Sequence, residues 1–263
     1  MFDTVSQDPA SDSGRAPYGL VGLIVSTALI VAGMAVLWTA SAIAAKFIWG
    51  AGFDDNMGVL ATYGIKQMSQ APAGPQRFFF VLLIATFALA VPPVLVAAAI
   101  RGGSSWRGLL ALNAIKRGMT RKWLLVLGIG MPAYLLIAGL TIKFLFPEFR
   151  TWFFVPRDPA AMALSFLAVA IVAPVVEELF FRGWLYTSLR RSFRPSNTIA
   201  ITTLLFAAAH SDGGLLYPAA ILIPGAVLAI VREWTGSTLA SMLAHGTYNA
   251  WAWVLVLALG DRI

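Results

Sequence analysis

Residues 159–189 read PAAMALSFLAVAIVAPVVEELFFRGWLYTSL. The stretch from Pro159 to Val176 carries no charge, and after Arg182 the next charges are Arg190 and Arg191. About 20 mainly apolar residues cross the ~30 Å hydrocarbon core of a bilayer as one helix. This stretch therefore reads as a membrane helix over about 159–189 with Glu177, Glu178 and Arg182 inside it. A charged side chain at that depth costs about 2.5–3.5 kcal/mol or more unless it is paired or faces a wet cavity, so such residues are functional candidates by default.

The rest of the chain agrees with a lipid setting. Its 263 residues are 59% hydrophobic and only 12% charged, with a mean hydropathy of +0.79. Soluble domains carry about 25% charged residues, which argues against an ordinary cytosolic enzyme, and no polar stretch is long enough for a separate soluble domain. Cysteine is absent, which removes disulfides, thiol nucleophiles and iron–sulfur ligation. The net charge of +7 reads as basic loops of a membrane protein rather than a nucleic-acid surface.

Charge-free runs cover 16–45, 78–100, 123–142, 159–176, 195–211, 213–231 and 234–260. With the fourth extended to 189, they predict an all-α, polytopic integral membrane protein of about seven helices in one bundle. Residues 1–17 are expected to form a disordered tail, 18–158 three membrane helices with their loops, and 159–260 a membrane core. Pro92-Pro93 should kink or break the second helix. Arg194-Pro195-Ser196-Asn197 should start the fifth, with Ser or Asn as cap. The basic residues of loop 101–122, with Arg190, Arg191 and Arg194, place the N-terminus in the cytoplasm. Short Ala-rich loops fit a bacterial inner membrane.

The chain has four Glu and two His. Glu178 and Arg182 stand i,i+4 and can pair on one helical face. Glu177 then points about 100° away, which makes it the candidate for chemistry and Glu178–Arg182 the candidate for architecture. The midpoint between Glu177 and His210 falls at the Arg194-Pro195 turn. An antiparallel hairpin would hold both at one depth, about 24 Å from that turn. His245 and Asn249 share a face at i,i+4 with Gly246 between them. Any one of these polar residues could simply bond neighbouring helices; the set together asks for more.

Glu177 with His210 could activate a water against a carbonyl, while His245 and Asn249 donate to the oxyanion. Equally, Glu177, His210 and His245 are three ligands of the kind an open zinc site uses. Counted from its own turn at 232–237, His245 lies only ~10 Å deep, a mismatch that disfavours three-point ligation. Zinc stays an open alternative, and no other cofactor is called for.

Three motifs occur in order: Glu-Glu-x-x-x-Arg at 177–182, Phe-x-x-x-His at 206–210 and His-x-x-x-Asn at 245–249. Together they resemble the CAAX protease and bacteriocin-processing family of intramembrane endopeptidases, over about residues 160–255. The resemblance implies Glu177 as the essential carboxylate, His210 as its water-activating partner, His245 and Asn249 as the oxyanion pair, and Glu178–Arg182 as a supporting ion pair. It implies a membrane-associated protein or peptide substrate, prenylated CAAX-type in some members, and no nucleic acid. Competing readings are an ion- or proton-coupled transporter, against which no internal repeat is found, and a non-catalytic membrane scaffold, against which every motif position is retained.

Overall fold

Every regular element among the described residues is helical. The computed structural model describes residues 20–49, 52–59, 68–115, 126–146, 154–211 and 216–259. The expected tail over 1–17 lies outside them, as do Lys116, Arg117, Arg121 and Lys122 of the basic loop.

The helices are α1 (Leu20–Trp49), a short α2 (52–59), α3 (Ala73–Gly102), α4 (Met131–Leu145), α5 (Pro159–Leu189), α6 (Pro195–Ala208), α7 (Leu216–Thr235) and α8 (Thr238–Leu259). Six of them, with α4 counted from Gly128 in the π turn that precedes it (Val126–Gly130), are long and apolar enough to span a bilayer. The seventh expected span, α6, has 14 residues and a length of about 21 Å. The protein is a multi-pass, all-α membrane protein.

Pro92 and Pro93 lie within an unbroken α3. Gly33 of α1 packs beside Pro93, where an added Cβ would lie 3.3 Å from the ring. At the start of α5, Asp158 is the N-cap, accepting from Ala161 N–H at 2.9 Å, with Pro159 in the first turn. Its carboxylate also takes two bonds from Arg77 of α3 (2.7 and 2.6 Å). The α6 start differs from expectation. Pro195 does open the first turn, but Arg194 holds the cap position and no side chain caps the helix.

Helix α5 departs from α geometry twice. Leu167–Val172 and Leu179–Leu185 run in the wider π register, which occurs often at functional sites. Ala173 N–H therefore bonds Ala168 O, and Tyr186 N–H bonds Phe181 O, each five residues back rather than four. In the first case the next residue, Pro174, has no N–H to offer. Val169 O thus loses its helical donor.

After α3 the chain forms a turn at Gly103–Ser105 and one helical turn at Trp106–Leu109. It then crosses the α7–α8 junction. Thr238 donates from N to Ala111 O (2.9 Å) and from Oγ1 to Leu110 O (2.7 Å). Leu110 O also lies against Gly183, 3.3 Å from where a Cβ would sit. This crossing places the α7–α8 turn beside the middle of the second π segment of α5.

Candidate active site

Glu178 and Arg182 are fully buried and paired at 2.9 Å. The Glu178 Oε1 atom accepts a second bond from His245 Nδ1, also at 2.9 Å. Arg182 makes further contacts of its own. Its Nη2 donates to Gly225 O of α7 at 2.8 Å, and its guanidinium lies 4.4 Å from the Phe206 ring centroid. The sequence assigned this pair to architecture. The geometry adds that Glu178 orients a histidine.

Glu177 points away from that pair. Its Oε2 lies 3.8 Å from His210 Nε2 and 3.9 Å from His245 Nε2, and no protein group bonds it directly. Its side chain keeps 17% exposure, whereas Glu178 has none. The structure thus brings Glu177, His210 and His245 to one point.

The two histidines differ in what holds them. His210 Nδ1 lies 2.7 Å from Phe206 O; a carbonyl only accepts, so Nδ1 carries the proton and neutral His210 offers its Nε2 lone pair to the site. His245 Nδ1 donates to a carboxylate instead, and its Nε2 can donate as well only as the imidazolium. Phe206, the first residue of its motif, separates them, with ring centroids 4.7 Å from His210 and 5.7 Å from His245. Gly225 makes room for it, since a Cβ there would sit 3.2 Å from the Phe206 ring.

Asn249 is joined to none of these three residues by a hydrogen bond among the described residues. Its Nδ2 donates to Val169 O at 2.8 Å, the carbonyl that the π register and Pro174 leave without a donor. Gly246 permits this approach, because a Cβ there would meet Ala170 O at 2.8 Å. Trp253 completes the seam by donating to Ser165 Oγ at 2.9 Å.

The expected depth mismatch of His245 does not occur. Depth was counted from each hairpin's own turn, but the two turns are not level. Arg232, near the end of α7, bonds Arg182 O and Thr187 Oγ1, and Gly183 meets the segment that holds the α7–α8 turn. That turn therefore lies deeper than the Arg194-Pro195 turn, and His245 reaches Glu177 with fewer residues.

Ligand atoms on a tetrahedral zinc at 2.0–2.1 Å stand about 3.3–3.4 Å apart, closer than the 3.8 and 3.9 Å between Glu177 and the two histidines. Among the described residues no group of three His, Cys, Asp or Glu is set to hold a metal ion.

Sequence reasoning missed Asp158, Arg232 and the second bond of Glu178. Arg232 carried a usable signal, a charge closing an otherwise apolar run. The Glu178–His245 bond had none, because it joins residues 67 apart.

Comparison with known proteins bears on the same region. A curated Escherichia coli protein described as an uncharacterized 24.3 kDa protein is 32% identical over 100 residues. The match covers 37% of this chain and 46% of that protein, so the chain spans about half the length of this relative. No solved structure matches. The model of the family described as type II CAAX prenyl endopeptidase Rce1-like matches residues 159–251. That range holds Glu177 and Glu178, both histidines and Asn249.

Proposed function

We propose that the protein is an intramembrane endopeptidase that hydrolyses a peptide bond of a membrane-associated protein or peptide. The observation that carries this reading is Glu177 Oε2, unbonded by protein and facing two imidazole Nε2 atoms at 3.8 and 3.9 Å. Polar atoms so spaced are too far apart to bond directly but suit a bridging water.

In this reading the water oxygen attacks the scissile carbonyl carbon while its proton passes to Glu177, with His210 Nε2 accepting a hydrogen bond from the same water. The carbonyl oxygen becomes an oxyanion and takes a hydrogen bond from His245 Nε2–H. This step uses the imidazolium form of His245, because its Nδ1–H is already given to Glu178. Asn249 Nδ2 has a second N–H beyond the one given to Val169 O and can donate to the same oxyanion. Collapse of the tetrahedral intermediate breaks the C–N bond, and the proton on Glu177 goes to the leaving amine. The products are one carboxylate and one amine.

The family points to CAAX-type substrates. The N-terminus is assigned to the cytoplasm and the protein to a bacterial inner membrane on the loop charges and composition. The test is proteolysis of prenylated and unprenylated peptides by purified protein, with Glu177→Gln as control. Cleavage should fall by about 10²–10⁴-fold in the variant, with unchanged melting temperature, and should survive a strong chelator. Wild-type turnover in Glu177→Gln would overturn the assignment, and chelator-reversible loss would make Glu177, His210 and His245 metal ligands.

A further inference from the structure

Both π segments of α5 end the same way. At the first, Ala173 N–H reaches past Val169 O to Ala168 O, and the side chain of Asn249 takes the abandoned carbonyl. At the second, Tyr186 N–H reaches past Arg182 O to Phe181 O. Arg182 O is then taken by Arg232 Nε, at 3.2 Å. The Nη2 of Arg232 donates to Thr187 Oγ1 at 3.0 Å, and its guanidinium lies 5.6 Å from the Tyr186 ring centroid. Arg232 is 8% exposed. Neighbouring Glu233 spends its carboxylate on Tyr186 and Arg190.

We propose that Arg232 is a positioning residue for the site, the counterpart of Asn249 outside the family motifs. A buried carbonyl without a donor is costly, so a π segment persists where something catches the bypassed carbonyl. Arg232 does this at the residue whose side chain pairs with Glu178. Helix α7 therefore grips Arg182 at two points, Gly225 O on the guanidinium and Arg232 on the carbonyl. The grip sets where Arg182 holds Glu178, and Glu178 in turn sets the aim of His245. His210 is held by its own helix, through Phe206 O, and touches Arg182 only by way of the Phe206 ring.

The two histidines make this testable without turnover. In protein labelled with ¹⁵N at histidine, the chain gives two imidazole spectra, assigned with His210→Gln. Arg232→Gln should move the His245 Nδ1 and Nε2 resonances and shift those of His210 far less, well below the melting temperature. Thr187→Ala, which removes one partner of Arg232 and leaves the cation, should move His245 in the same direction by less, and serves if Arg232→Gln does not fold. An unmoved His245 in a folded variant overturns the proposal, as does equal movement of both histidines, which means general loosening. A turnover arm rests on the proposed protease reading: kcat should fall by about 10- to 100-fold with KM unchanged, as for a misplaced group. A protein without peptidase activity would fail that arm alone and leave the spectral arm intact.

Discussion

The two halves of the chain bury different things. Before residue 147, Gln76 is the one buried polar or charged side chain among the described residues, against thirteen after it. Gln76 spends its amide on the carbonyls of Met68, Ser69 and Ala71, closing the turn that leads into α3. In the most apolar stretches of α1, α3 and α4 only 6–11% of residues are buried, against 39% in α5 and 33% in α7; α8, at 11%, is held instead through the polar contacts of its first turns and of Asn249. Lipid tails are as apolar as leucine, so a helix gains little by exchanging lipid for protein unless it packs closely or bonds. The first half can stay loosely attached. The second half must be tightly joined, because each polar group in it is costly without its partner.

That contrast predicts where substitutions hurt. Arg182→Met should have the largest effect on stability. It removes the counter-charge of Glu178 and the donor to Gly225 O, a loss of about 3–5 kcal/mol for a fully buried pair. Exchanging the two residues should fail to rescue, since Gly225 O and the Phe206 ring both require the cation at position 182. Thermal unfolding in detergent measures both, and full rescue by the exchange would break the account. Gly246→Ala comes next. Its methyl would press on Ala170 O, with overpacking costs of about 1–3 kcal/mol and loss of the Asn249–Val169 bond.

The same measurement on the first half should give almost nothing. Leu29 of α1 is 67% exposed to the surroundings, and Leu29→Ala should stay within about 0.5 kcal/mol. A loss as large as that of Gly246→Ala would erase the distinction between the halves. The smallest effect lies where the halves meet, at Arg77 and Asp158. The Arg77 guanidinium, with the Ala161 N–H, holds the Asp158 carboxyl down at about 2, below the usual ~3.9 of an unfolded chain. The lowered value means that the pair stabilises the fold fully above about pH 4. This contribution disappears as pH falls through about 2. Asp158→Asn should flatten the melting temperature over that acid window and leave it unchanged in shape near neutrality. Because the pair is exposed, added salt should shrink the difference.

Much of this was legible without coordinates, for reasons specific to lipid. Glu177, Glu178, Arg182 and His245 stand out because charge is rare in an apolar helix, and the i,i+4 spacing of Glu178 and Arg182 is a property of one helix. The start of α5 at Pro159 was readable too, although the Asp158 cap went unnoticed. Other features escaped for identifiable reasons. The continuity of α3 through Pro92-Pro93 depends on what packs around it, including Gly33 of α1. The π segments of α5 need partners for bypassed carbonyls, and those partners come from α7 and α8.

By itself, then, the sequence determined a multi-pass helical protein, the residues of its polar cluster, and the opposite aims of Glu177 and Glu178. These follow from composition and from the fixed rise and turn of a single helix. Only the tertiary structure decided that His245 reaches the depth of Glu177, that its Nδ1 faces Glu178 while that of His210 faces a carbonyl, and that Asn249 and Arg232 hold the two returns from the π register. Helical geometry fixes positions within a hairpin but says nothing of the offset between one hairpin and the next. Here that offset is set by Leu110 and Ala111, whose carbonyls hold Thr238 and with it the start of α8.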